Sequence, residues 1–168
     1  MKTKLIGFLF AFAVLAGCGK ASGPDRWGEL AGIVAQAPFA ATARVLWEDA
    51  EYEAECSRNA QGGLLLSLRS AGLSAPVEYQ LSGGALTIRQ GEHALTVRED
   101  NAPAGCAAIA LRDALAALSL AEPKEEDGKI FLENEGQSHL MMLDAENYGF
   151  CRVELRGGSF EFQSFAYS

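Results

Sequence analysis

From Phe39 onward, apolar and polar residues alternate with a period of two along most of the chain. Phe39, Ala41, Ala43, Val45 and Trp47 form one apolar row, and Ala50, Tyr52, Ala54 and Cys56 form the next, with Glu51, Glu53 and Glu55 interleaved. Successive side chains of a strand point to opposite faces, so this spacing predicts strands that are dry on one face and wet on the other. The rhythm continues through Leu64, Leu66 and Leu68, then Val77, Tyr79 and Leu81, then Leu86 and Ile88, then Leu95 and Val97. Glu48-Asp49, Gly62-Gly63, Gly83-Gly84 and Gly91-Glu92 interrupt it where tight turns are needed, which predicts an antiparallel meander.

Two stretches switch to a helical period. Residues 26–36 place Trp27, Leu30, Ala31 and Val34 together, with Asp25 as N-cap, Pro38 just past the end, and Gly28 and Gly32 as weak points. Residues 106–120 place Leu111, Ala114, Leu115 and Leu118 on one face and carry charge only at Arg112 and Asp113, which predicts a largely covered helix. Residues 122–128 are charged, contain Pro123 and read as a loop. Strands then return at 129–133, 139–143, 150–156 and 159–165, the last two joined by Gly157-Gly158. The expected fold is α+β: a single curved antiparallel sheet of about ten strands, an incomplete β-barrel, wrapped over an N-terminal helix and a central Ala/Leu helix. Two short helices are little cover for so much one-sided sheet. Either the sheet's own side chains fill the hollow or a cavity remains.

The chain begins differently. Lys2 and Lys4 precede an apolar run from Leu5 to Leu15, followed by the small residues Ala16 and Gly17 and by Cys18. That order predicts a secretory signal over residues 1–17, and the run falls short of the roughly 20 apolar residues a membrane span requires. Residues 18–25 are small and polar and read as a tether, leaving 26–168 as one domain. Removing Lys2 and Lys4 leaves 14 − 2 = 12 basic residues against 22 acidic ones, a net charge of −10. Nucleic acid and anionic lipid headgroups both require clustered Lys and Arg, so neither is an expected partner.

Candidate chemistry is sparse. His93 and His139 stand alone, no serine lies in a GxSxG turn, and no two cysteines form a CxxC pair. The stretch from Asp144 to Gly149 faintly resembles a calcium loop, but Tyr148 takes a ligand position and Leu155 stands where the bidentate glutamate belongs. Glu125, Glu126 and Asp127 read as a solvated loop. Glu51, Glu53 and Glu55 line a water-facing strand face about 7 Å apart, where nothing raises a carboxyl pKa for glycoside chemistry. No enzyme, metal or cofactor is expected. Beyond Cys18 the odd count of Cys56, Cys106 and Cys151 leaves at least one unpaired, with Cys56 to Cys151 a candidate disulfide and buried thiols the alternative.

Leu15-Ala16-Gly17-Cys18 resembles the bacterial lipobox, which implies cleavage before Cys18 and attachment of diacylglycerol to its sulfur. The layout also resembles a known superfamily. The strands through FAATARVLWEDAEYEAEC, the segment LRSAGLSAPVEYQLSGGALTI, an Ala/Leu helix, the hairpin LMMLDAENYGF and the ending FEFQSFAY look like bacterial lipoproteins of the LolA/LolB-like superfamily. That resemblance implies an incomplete β-barrel whose hollow receives acyl chains. It points to Trp47, Tyr52, Leu66, Leu68 and Tyr79 as cavity-lining residues on the sheet, and to Leu111, Leu115 and Leu118 on a helical lid; Phe160 and Phe162 share the strand parity. In the carriers an arginine locks the lid. Arg44 is the candidate by position, although its parity turns it away from Val45 and Trp47.

Two functions follow. One is an extracytoplasmic lipoprotein, anchored through Cys18 to the cell membrane or to an outer membrane where one exists, that binds a lipid or other apolar ligand. The other is an envelope interaction or sensor scaffold with a packed core, for which Glu51, Glu53 and Glu55 offer a docking face to a basic protein partner. A filled interior favours the second.

Overall fold

The computed structural model describes residues 24–134 and 139–168; the expected signal segment, Cys18 and the start of the tether lie outside them. α1 (Pro24–Gln36) precedes six strands: β1 (Phe39–Trp47), β2 (Ala50–Arg58), β3 (Leu64–Arg69), β4 (Val77–Ser82), β5 (Ala85–Gln90) and β6 (His93–Arg98). α2 (Ala107–Ala117) follows, closed by a 3-10 turn at Leu118–Leu120. Five strands complete the chain: β7 (Glu122–Glu126), β8 (Lys129–Asn134), β9 (His139–Asp144), β10 (Phe150–Leu155) and β11 (Gly158–Tyr167).

All eleven strands form one open antiparallel sheet in the order β6-β5-β4-β3-β2-β1-β11-β10-β9-β8-β7. The first and last strands meet in the middle, from Phe39 opposite Tyr167 to Trp47 opposite Gly158. Chain-end strands therefore sit at the centre, and mid-chain strands become the edges. α2 packs against β3, β4 and β10. On a flat sheet β4 and β10 are five spacings apart, about 24 Å, which is wider than a helix of about 10–12 Å. The sheet must curl around α2 for one helix to touch all three.

Two expectations need correction. Glu122–Glu126 pairs with β8 as an eleventh strand instead of forming a loop. Every residue of β7 is exposed, so neither face leaves an apolar alternation in the sequence. α1 packs mainly on the 3-10 turn that follows α2, with Val34 in the common core and its last carbonyls over Arg58 at the end of β2. Asp25 falls inside α1, after Pro24, rather than before its start as an N-cap.

The core is continuous. Val45, Leu66, Leu111, Leu118, Leu132, Met141 and Phe160 are fully buried, each aliphatic or aromatic side chain contributing about 1.5–3 kcal/mol relative to exposure. A bulge in β11 adds an aromatic layer. Thr42 pairs with Ser164 while Ala43 pairs with Phe162, so Gln163 is the extra residue. It shifts the parity so that Phe160, Phe162, Phe165 and Tyr167 all lie on the side of Val45, Ala43, Ala41 and Phe39. Phe165 then stands 5.0 Å from Phe39 and 5.2 Å from Phe150, ring centre to ring centre. Gly158 is required where it is, since a Cβ there would lie 2.0 Å from the Leu46 carbonyl oxygen.

Candidate functional site

The residues expected to line a cavity form the core instead. Trp47, Leu66, Leu68, Leu111, Leu115 and Leu118 are buried within one continuous cluster, and Tyr52 and Tyr79 are half-buried at its margin. The Trp47 indole N–H donates to the Gly105 carbonyl at 2.9 Å, tying the segment that starts α2 to the end of β1. Burial pushes the Tyr79 phenol up from its ordinary value, with Cys106, Tyr52 and Glu48 adding to the shift, so these four groups share one end of the hollow. A cleft of about 370 Å³ opens at the other end, beside Ala35, Arg58, Gly62, Leu64, Arg112 and Leu115. Of the eight expected lining residues only Leu115 reaches it. Two of its walls are guanidinium groups, and Arg112 is already paired with Glu99 and Asp113.

Arg58 is the buried cation among the described residues, 8% exposed. Its parity continues the row Ala54 and Cys56 into the hollow, where the guanidinium meets the last carbonyls of α1. Nη2 donates to Val34 O at 2.9 Å and to Ala37 O at 2.7 Å, Nε donates to Ala37 O at 3.1 Å, and Nη1 donates to Ala35 O. Helix C-termini leave carbonyls unpaired and carry partial negative charge, so one cation answers both needs. The Phe39 ring lies 5.4 Å beneath the guanidinium carbon. Arg44 has no such role: it is exposed on the outer face, its Nε 3.4 Å from Glu51. The arginine that fastens a helix here is Arg58. An arginine at inward parity at the end of β2 was the sequence signal for it.

Glu51, Glu53 and Glu55 do face water, but not as a bare acidic strip. One register row crosses five strands as Arg152, Glu161, Arg44, Glu53 and Arg69. Opposite charges alternate along it, and Arg152 Nη1 stands 3.4 Å from Glu161 Oε1. With Glu51 also on Arg44, only Glu55 lies between uncharged neighbours, Thr42 and Ser67. That face is therefore mixed in charge rather than uniformly acidic.

Cys56, Cys106 and Cys151 are free thiols. β2 and β10 are three spacings apart, about 14 Å, whereas a disulfide needs Cα atoms within about 7 Å, so Cys56 and Cys151 do not pair. Burial pushes the Cys56 thiol up to about 12. The Asp144 carboxylate is taken up by its own turn. Its Oδ1 accepts from Glu146 N–H at 3.0 Å and Asn147 N–H at 3.2 Å, and its Oδ2 meets Lys129 Nζ at 3.0 Å.

The concave face is unevenly covered. Ile130, Leu132, Met141 and Leu143 of β8 and β9 are buried, while Val77, Tyr79, Ile88 and Val97 of β4 to β6 are half-buried and Leu95 is 57% exposed. Among the described residues no helix is long and apolar enough to cross a membrane. No family model matches the chain, and no curated protein matches it.

Proposed function

We propose that the protein is a membrane-anchored extracytoplasmic lipoprotein, held through Cys18, whose LolA/LolB-like incomplete barrel is filled by its own side chains and which acts through protein contacts at the cell envelope. The lipobox-like Leu15-Ala16-Gly17-Cys18 supports the anchor, since more than one acyl chain is what makes such anchoring stable. The observation that carries the contact-based reading is the filled hollow. Leu66, Leu68, Leu111, Leu115 and Leu118, the residues an acyl chain would touch, are in the packed core. The cleft beside Arg58 and Arg112, about 370 Å³, is small for a lipid.

One observation favours a second reading, an apolar ligand. The half-covered strip from Tyr79 through Ile88 to Leu95 would suit a hydrophobic molecule lying along β4 to β6. One experiment separates the two: secrete a chain that starts after Cys18 into a periplasm, purify it without detergent, extract it with organic solvent and weigh the extract by mass spectrometry. A lipid-free extract from folded protein agrees with contact-based action; one lipid per chain replaces it with the ligand reading. Cys18→Ala in the full chain tests the anchor, and the expected result is loss of the protein from the membrane fraction.

A further inference from the structure

The two edges of the sheet are built for different ends. Glu99 N–H donates to Gly84 O at 3.0 Å, and Gly84 and Glu99 extend the register in which Leu86 faces Val97, Ile88 faces Leu95 and Gln90 faces His93. Bonded pairs alternate along an antiparallel ladder, so 93, 95 and 97 bond inward to β5. Ala94, Thr96 and Arg98 turn their N–H and C=O groups outward, and nothing among the described residues pairs with them. On β7 the two-residue Asp127-Gly128 turn makes Glu126 and Lys129 a bonded pair, which turns Pro123 and Glu125 outward. Proline has no N–H, and four of the five residues of β7 are charged. That edge is blunted against strand addition, and β6 is not.

We propose that β6 is a homotypic docking strand: a second copy of this chain pairs with it antiparallel about a two-fold axis through Thr96. In this register Thr96 faces Thr96 of the second copy and Ala94 faces Arg98 of the second copy. All three outward-facing residues find partners, and no two like charges meet within His93–Arg98. On the concave face Leu95 lies opposite Val97 of the second copy, which covers this exposed leucine. Each contact about Thr96 is repeated by the two-fold axis, as an isologous interface requires. The inference names a partner for the contact-based reading above and rests on that reading only in one respect: two tethered copies in one membrane meet at raised effective concentration.

The test uses the full chain in its membrane with Thr96→Cys. Bonded cross-strand pairs have Cα atoms about 5.5 Å apart, within disulfide reach. Oxidation with copper-phenanthroline is therefore expected to give far more disulfide dimer than the native chain, whose Cys106 and Cys151 set the background. Ala94→Cys is the register control, because the two Ala94 positions stand four residues apart, about 14 Å. Glu125→Cys is the control for the blunted edge. Adding Leu95→Lys to Thr96→Cys places a charge against Val97 of the second copy and is expected to abolish the dimer. A folded Thr96→Cys chain that gives only background dimer overturns the pairing, as does equal dimer from Ala94→Cys or Glu125→Cys. A monomeric chain with a lipid-free extract removes this partner but leaves contact-based action standing. A monomeric chain that carries stoichiometric lipid removes both.

Discussion

The wings on either side of the β1–β11 seam are finished to different degrees. In β8 and β9 the inward residues Ile130, Leu132, Met141 and Leu143 are sealed, and the outermost strand bears Pro123 and four charges. In β5 and β6 the inward residues grow steadily barer, from buried Leu86 through half-buried Ile88 to Leu95, and the outer strand offers a free row of backbone groups. An exposed edge is an aggregation hazard that proteins normally blunt. Blunting one edge and leaving the other open assigns contact to the open one.

Mutations that separate the wings follow from this. Leu132→Ala on the sealed wing should cost about 2–5 kcal/mol in urea unfolding, because a fully buried leucine leaves a cavity. Leu95→Ala on the open wing should stay within about 0.5 kcal/mol for the monomer, as exposed sites generally do. Equal losses would erase the comparison. Next in size, Arg58→Met should cost about 2 kcal/mol by removing charged hydrogen bonds to the carbonyls of Val34, Ala35 and Ala37. Hydrogen exchange should quicken in α1 first and leave β8 and β9 protected.

Thiol chemistry draws the same line more finely. With its thiol at about 12, Cys56 should resist iodoacetamide in the folded chain at pH 8, while Cys106, beside the half-covered Tyr79, reacts. The sign of the linked effect is fixed: a folded value above the unfolded one leaves stability intact below about pH 9 and withdraws it as pH rises toward 12. Cys56→Ala should therefore flatten the alkaline limb of the stability curve. The smallest effect lies on the sealed wing, where the Lys129 ammonium, with the N–H groups of Glu146 and Asn147, holds Asp144 below the usual carboxylate value. Its contribution is present above that usual value and is lost as pH falls through the lowered one, so Asp144→Asn and the native chain should converge in acid.

Much of this fold was legible from periodicity. The rows at Phe39 to Trp47 and Ala50 to Cys56, the Gly83-Gly84 hairpin and the covered helix α2 came from spacing, whereas the last hairpin turns one residue earlier than expected, at Arg156-Gly157, with Gly158 already in β11. β7 was not legible, since an edge strand wet on both faces leaves no alternation. The roles of Arg58 and Arg44 became clear only when α1 was seated over the end of β2. The pairing of Cys56 with Cys151 failed for a similar reason: sequence fixes neither how many strands separate two cysteines nor which strands form the seam. Because β1 joins β11, the edges fall at mid-chain, where local pattern gives no hint of them.

The most direct test of the open wing is amide hydrogen exchange of the purified chain at low and high protein concentration, resolved at single residues along β6. The account predicts that the amides of Ala94, Thr96 and Arg98 exchange fast when dilute and slow markedly when concentrated, while Leu95 and Val97, already bonded to β5, and Glu125 of β7 change little. Concentration-independent exchange at Thr96 would contradict it.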